Sequence, residues 1–449
     1  IYPQQVMLGL LRRLVPLLVI SILIFPYISK LVTIRTSIIS KFNTFEEIYQ
    51  NRSDDVQFFL NRAKLKGATN SYVEPIYLTD KNLEKLRNDD NIDKSVFDNE
   101  NIKLENATLL VLCRNWELKD ILSSMRSLED RFNKNYHYPW TFLNDVPFDE
   151  EFIMWTTEMA SGKTEYGLIP KEDWNTPSFI DQEKYEKSIE KAIKDDIIYG
   201  FSKSYRNMCH FNSGYFFRQE LTLKYDYYFR VEPGVEYFCD FQMDPFRLLR
   251  ESGKKYTFVV SLYEYPETIP TLWDTVEDFL NEHPSYLHPN SAIEFLTSKA
   301  PIGTNALDLG NSSYNLCHFW SNFEIGDLNF FRSKEYLDYF EYLSKSGGFY
   351  YERWGDAPVH SIGAVLLLDK DEILHFEDIG YNHVPFFTYP EGRQVTKYKR
   401  CVVPKDKDNI NVKLGSCLPR WWKFGSGKKF LKEYYHEDEY LQLKKLLKQ

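Results

Sequence analysis

The sequence predicts an α/β domain built on a parallel sheet with helices on both faces. Two observations carry that expectation: an apolar strand-like run followed by a helical period occurs three times, and two further aromatic strand-like runs follow, the first ending on an acid. In chain order, ATLLVLCRN from Ala107 is an apolar run closing on Arg114 and Asn115, and ELKDILSSMRSLEDRF then takes the helical period. YPWTFLND precedes DEEFIMWTTEMA, and TEYGLIP precedes the charged helix QEKYEKSIEKAIKDD. YDYYFRVEP and YTFVVSLYEYP supply further strands. Ligands of such a sheet sit beyond the C-terminal strand ends. No GxGxxG follows the first strand and no GxxxxGK[ST] occurs, which demotes dinucleotide-binding and P-loop readings.

At 449 residues the chain exceeds a typical domain of about 100–200 residues. With 55 Lys plus Arg against 65 Asp plus Glu its formal charge is −10, which argues against a general nucleic-acid binder. Aromatic residues make 16% of the chain. That excess has two readings, codon bias of an AT-rich genome or rings that stack on the C–H faces of sugars.

Leu14–Ser29 is uncharged, follows Arg12 and Arg13, and precedes Lys30. It reads as an uncleaved signal anchor, short against the ~20 residues of a full span. Charges on its two sides leave the orientation open. Residues 1–13 are then a tail, 30–98 a polar stem with a docking arm, and 99–449 the catalytic-size domain. Asn-x-Ser/Thr patterns at Asn51, Asn106 and Asn311 would be usable in the secretory lumen. Of the six cysteines, Cys401 and Cys417 flank a Lys/Asp-rich loop that they could staple, and Cys113, Cys209, Cys239 and Cys317 sit in apolar contexts that suit buried free thiols.

Three dense segments could carry chemistry. In FRVEPGVEYFCDFQMDPF, Glu232 ends an aromatic strand, either as an ordinary turn acid or as a carboxylate holding a divalent cation against a pyrophosphate. In YNLCHFWSNFEIGDLNFFRS, Glu324 lies among Trp320, Phe323 and Phe330, either as a solvated loop acid or as a hydrogen-bonded functional carboxylate. In GGFYYERWGDAPVHSIGAVLLLDKDEILHFEDIGYNHVPF, Asp356 precedes Pro358 and an apolar helix, so a helix N-cap is the bland reading. His360, His375 and His383 fall in this segment, and imidazole with carboxylate suits manganese or zinc.

SYRNMCHFNSGYFF, YYFRVEPGVEYFCD, HFWSNFEIGDLNFFRS, YYERWGDAPVHSI and FEDIGYNHVP, in that order, resemble the fungal Golgi α-1,2-mannosyltransferase family from about residue 100 to the C-terminus. The stretch between Glu267 and Tyr314 carries none of these motif segments. The resemblance implies a GT-A type nucleotide-diphospho-sugar fold, a Rossmann-like mixed sheet flanked by helices, behind an N-terminal signal anchor and stem. It implies a single-pass type II Golgi membrane protein with a lumenal catalytic domain. The implied reaction is Mn2+-dependent, retaining transfer of mannose from GDP-mannose to mannose-terminated O-linked or N-linked glycans. By motif, Glu232 and His383 match the manganese ligands, and Glu324 the catalytic carboxylate facing the donor sugar, as nucleophile or as stabiliser of same-face attack. Arg114, Tyr205 and Asp356 match donor- and acceptor-binding positions. The competing readings are a non-catalytic mannan-binding or scaffolding member of the same fold and a two-carboxylate hydrolase that needs neither metal nor nucleotide.

Within those segments the expectation is that Tyr205, Tyr215, Phe216, Tyr228, Trp320, Phe323, Tyr350, Tyr351, Trp354 and Tyr381 serve the site rather than the core.

Overall fold

A computed structural model describes residues 104–297, 313–377, 379–390, 399–403, 407–413 and 415–426. The segments expected as anchor and stem, and Asn51 and Asn311, lie outside the described residues. Asn106 is exposed, and its amide donates to the Lys224 carbonyl at 2.7 Å and to Asp226 at 3.1 Å.

Apolar runs become strands and amphipathic runs become helices, as their periods require. Strands β1 (Ala107–Leu112), β2 (Trp140–Asn144), β3 (Thr164–Leu168), β4 (Tyr227–Arg230), β6 (Tyr256–Phe258), β9 (Glu324–Asp327) and β10 (Ile373–His375) form a sheet in the order β10-β6-β9-β4-β1-β2-β3. Three further strands, β5 (Glu236–Tyr237), β11 (Tyr381–His383) and β12 (Phe386–Thr388), make an antiparallel sheet. A pair is formed by β7 (Ser261–Tyr263) and β8 (Cys317–Phe319). The run YTFVVSLYEYP therefore divides between two sheets.

Helices that matter below are α1 (Leu118–Arg131), α2 (Glu150–Met159), α3 (Gln182–Lys194), α4 (Lys203–Gly214), α5 (Lys334–Ser346) and α6 (Asp356–Leu367). Side-chain caps set their starts: Asp149 accepts from the Phe152 amide, Ser202 from Tyr205 and Ser333 from Tyr336. Gly347 ends α5 at φ +79°, a left-handed conformation that glycine adopts without a Cβ penalty. Where α4 crosses α5, a Cβ on Gly214 would lie 2.1 Å from the Phe340 ring, so only glycine permits the close approach.

The large sheet is mixed. β1, β2, β3 and β4 pair in parallel, as do β6 and β10, but β9 runs antiparallel to both β4 and β6. This corrects the all-parallel sheet that the strand and helix alternation suggests and agrees with the mixed sheet that the family resemblance implies. Alternating side chains feed two cores: Leu109, Phe229 and Ile325 face one side, and Leu110, Tyr228 and Tyr256 the other. On the second side lie α4, α5 and α6, whose apolar residues join the same core.

The cysteines pair across long separations. Disulfides join Cys239 to Cys401 and Cys317 to Cys417, while Cys113 and Cys209 are buried free thiols. The expected Cys401–Cys417 staple is therefore wrong, as is the expectation that Cys239 and Cys317 are free. Backbone alignment explains the choice. Phe238 accepts from the Val402 amide at 2.9 Å, which sets Cys239 beside Cys401. The Cys417 amide donates to Ser261, whose strand pairs with that of Cys317.

Candidate active site

At the C-terminal end of β4 the chain assembles a cluster of charged side chains around one guanidinium. Side chains in a strand alternate, so Tyr228, Arg230 and, just beyond the strand, Glu232 point to the same side. Because β9 is antiparallel, its register sets Glu324 directly opposite Arg230. Asp356, at the start of α6, completes the ring.

Arg230 donates to Asp356 Oδ2 at 2.6 Å through Nη1 and to Glu232 Oε1 at 2.5 Å through Nη2, and Nη1 lies 3.9 Å from Glu324 Oε2. One planar fork thus links the three acids that the motifs single out, a task to which a bidentate guanidinium is suited. Burial opposes the charge on Arg230, but Asp356, Glu232 and Glu324 hold its pKa well above the ordinary value. Burial alone would raise Glu232 and Asp356. Arg230, with His383 beside Glu232 and with His360 and Ser321 beside Asp356, more than offsets it, and both carboxyls sit below the usual range.

Glu324 is completely buried, which excludes a solvated loop acid. Tyr256 donates to its Oε1 at 2.5 Å, Tyr228 to its Oε2 at 3.1 Å, and His360 Nδ1 lies 2.7 Å from Oε1. Asp356 is no N-cap either. Gly355 occupies the cap position, and the Asp356 carboxylate instead takes Arg230 and the Ser321 hydroxyl at 2.8 Å.

His383, on β11, brings Nε2 to 3.6 Å from Glu232 Oε2. Its Nδ1–H donates to the Val384 carbonyl at 3.0 Å, which orients Nε2 toward the carboxylate. Trp320 packs against the ring at 4.8 Å between centroids. Both side chains are about a quarter exposed (30% and 26%), so the pair is open to solvent rather than sealed inside the core. The fit to a divalent ion is good: the two atoms are closer than twice a metal–donor distance of about 2.1 Å, and a carboxylate oxygen with an imidazole nitrogen suits manganese. No group of three potential ligands occurs among the described residues, which leaves further coordination to oxygens of a ligand or water.

Arg114 and Tyr205 flank this centre. Arg114 follows β1, pairs with Asp145, and donates to Ser204 at 2.9 Å and to Asn144 at 3.2 Å. It is thereby tied to α4, where Tyr205 stacks on Tyr199 at 4.8 Å and lies 5.2 Å from the Arg353 guanidinium carbon. Neither makes a hydrogen bond to the Arg230 ring of acids. His375 stands apart, its Nε2 facing the Val259 carbonyl at 3.2 Å.

The aromatic expectation is corrected for half of its members. Phe216, Phe323, Tyr350, Trp354 and Tyr381 are buried in the cores; Tyr228 is buried too but serves the site through its hydroxyl on Glu324, and Tyr205, Tyr215, Trp320 and Tyr351 keep part of a ring accessible. Sequence reasoning missed Arg230 and Tyr256, set Tyr228 at the site without naming the acid it meets, and did not connect His360 with Glu324. Two signals were present: Tyr228, Arg230 and Glu232 share strand parity, and His360 follows Asp356 by four residues on one helix face.

Residues 66–426 match the family model described as glycolipid 2-alpha-mannosyltransferase. The probable mannosyltransferase KTR2 of Saccharomyces cerevisiae is 60% identical over 333 residues, 73% of this chain and 78% of that protein. The alpha-1,2 mannosyltransferase KTR1 of the same yeast is 47% identical over 304 residues, covering 68% and 75%. Among solved structures, core-mannan synthase A (CmsA/Ktr4) from Aspergillus fumigatus in its Mn/GDP form superposes with a TM-score of 0.68 at 38% identity, covering 76% of this chain and 90% of that one. Ktr4p from S. cerevisiae in complex with GDP gives 0.67 at 34% identity, covering 84% and 99%. The acids and the histidine that the fold gathers at the end of β4 thus belong to a chain that is a member of the glycolipid 2-alpha-mannosyltransferase family.

Proposed function

We propose that the chain is a retaining α-1,2-mannosyltransferase of GT-A type that takes mannose from GDP-mannose, with Mn2+, and adds it to mannose-terminated O-linked or N-linked glycans. The observation that carries this reading is the Glu232–His383 pair set beside the Arg230-linked acids at the strand end where an α/β sheet binds its ligands. The Mn/GDP form of core-mannan synthase A and the GDP complex of Ktr4p support the donor and the metal. Glu232 and His383 hold the cation, which when bound offsets the negative charge on the departing diphosphate. Arg114 and Tyr205 face the donor, and Asp356 orients sugar hydroxyls.

Glu324 supplies a fixed negative charge. Both its oxygens are hydrogen-bonded and its side chain is only 1% exposed, which supports same-face attack steadied by a buried carboxylate over a covalent glycosyl-enzyme. The uncharged run Leu14–Ser29 and the family resemblance support a single-pass type II protein of the Golgi membrane with a lumenal catalytic domain.

The purified chain should release GDP from GDP-mannose in the presence of Mn2+ and a mannoside acceptor. Glu232→Ala and His383→Ala should abolish metal-dependent GDP binding in calorimetry. Mannoside binding without metal-dependent GDP binding by the parent would favour the non-catalytic reading, and mannoside hydrolysis by the metal-free chain would favour the hydrolase.

A further inference from the structure

His360 stands one helical turn after Asp356 on α6 and is completely buried. Phe331 and Phe216 pack against its ring at 5.0 and 5.9 Å between centroids. Both ring nitrogens are engaged. Nε2 lies 2.8 Å from the backbone carbonyl of Asn212, and Nδ1 lies 2.7 Å from Glu324 Oε1. A carbonyl oxygen can only accept, so Nε2 carries a hydrogen, and a neutral imidazole has no second one to give. The short contact to Glu324 therefore requires a further proton, either on Nδ1 or on the carboxyl group.

The surroundings decide where that proton sits. Tyr256 donates to the same carboxylate oxygen and Tyr228 to the other, and Arg230 stands 3.9 Å away, an environment that stabilises the anion. We propose that His360 is a positioning residue for the transfer reaction: held as an imidazolium by the Asn212 carbonyl and by Glu324, it fixes Glu324 as an oriented carboxylate. This rests on the mannosyltransferase reading above. The charged and titratable groups facing His360 are Glu324 on β9, Arg230 on β4, Tyr336 on α5 and Asp356 on its own helix, while Tyr228 and Tyr256 meet it only through Glu324. Burial opposes the charged ring, but Glu324 and then Asp356 outweigh burial and Arg230, and the pKa lies above the ordinary imidazole value.

The test compares His360→Leu, which removes the contact, with His360→Asn, whose amide can still donate to Glu324 without a charge. In the full chain, His360→Leu should lower kcat about 10- to 100-fold, the worth of a hydrogen bond to a charged group, with KM for GDP-mannose within about twofold if ground-state binding is spared. His360→Asn should recover part of kcat. The parent's kcat should fall as pH rises through the raised His360 pKa, and that alkaline limb should vanish in His360→Asn. An unchanged kcat and pH profile in both variants would overturn the proposal. Calorimetric GDP binding with Mn2+ checks folding, and if His360→Leu fails that check His360→Asn decides. Nitrogen-15 NMR of the histidine rings gives a readout without turnover: His360 should show two protonated nitrogens at pH 7.5, and a neutral ring would overturn the assignment. A parent chain that transfers no mannose would refute the proposed function, whereas the ring protonation state would still be read independently.

Discussion

Replacing Arg230 by methionine is the most informative single perturbation of this structure. The side chain is 12% exposed and is shared by Asp356, Glu232 and Glu324, at 2.6, 2.5 and 3.9 Å. Removing it leaves three carboxylates facing one another with their common cation gone. Breaking a buried ion pair by deleting one partner costs about 3–5 kcal/mol, because the remaining charge stays buried and unpaired. For a domain of this size that corresponds to a fall in Tm of about 5–15 °C.

The pH dependence should change sign as well. In the parent, Glu232 and Asp356 have depressed pKa values, so their stabilisation is present above the unfolded carboxylate pKa of about 4 and is lost as pH falls through the folded values. Without Arg230, desolvation and mutual repulsion raise both groups above their unfolded values. The variant should therefore lose stability as pH rises from about 4 through those raised values and recover it on acidification. Arg230→Lys should fall between, since an ammonium keeps the charge but lacks the planar fork. Thermal denaturation followed by circular dichroism at pH 5 and pH 7.5 measures both effects. An Arg230→Met variant as stable as the parent at pH 7.5, or one whose Tm changes with pH as the parent's does, would refute the reasoning.

Two other substitutions test separate parts of the account. Glu324→Gln keeps the volume but removes the charge and turns one acceptor into a donor, so kcat should fall about 10²–10³-fold. Detection by mass spectrometry of a mannosyl adduct on Glu324 would sink the same-face reading. Paired Cys317→Ala and Cys417→Ala substitutions open a closure of 100 residues and should cost up to about 4–5 kcal/mol in the chain-entropy picture. Peptide mapping without reduction should recover Cys239 linked to Cys401 and Cys317 linked to Cys417, and a Cys401–Cys417 peptide would contradict the structure.

Much of the candidate site was legible because its residues sit in short segments with strong local signals. Glu232 ends an aromatic strand, Asp356 opens an apolar helix, and Glu324 and His383 lie in the motif segments HFWSNFEIGDLNFFRS and FEDIGYNHVP. Period-2 alternation predicts that Tyr228 and Arg230 share a face with Glu232, yet nothing local says what they meet there. Their partner Glu324 lies 96 residues from Tyr228, and Asp356 lies 126 residues from Arg230. The same holds for the aromatic residues of these segments. A ring packed in a core and a ring that stacks on a sugar leave the same trace in sequence, and burial alone separates Phe323 from Trp320.

By itself the sequence determined the strands and helices of the α/β core, since hydrophobic period reports which face of an element is buried. Through its motif segments it also marked Glu232, Glu324, Asp356 and His383. Tertiary structure alone decided that β9 runs antiparallel between β4 and β6, that Arg230 thereby joins three acids, that His360 closes on Glu324, and which cysteines pair. The physical reason is the range of the information. A side chain's face is set by its immediate neighbours along the chain, whereas its partner is set by strand order and register, which depend on burying the whole of both cores at once.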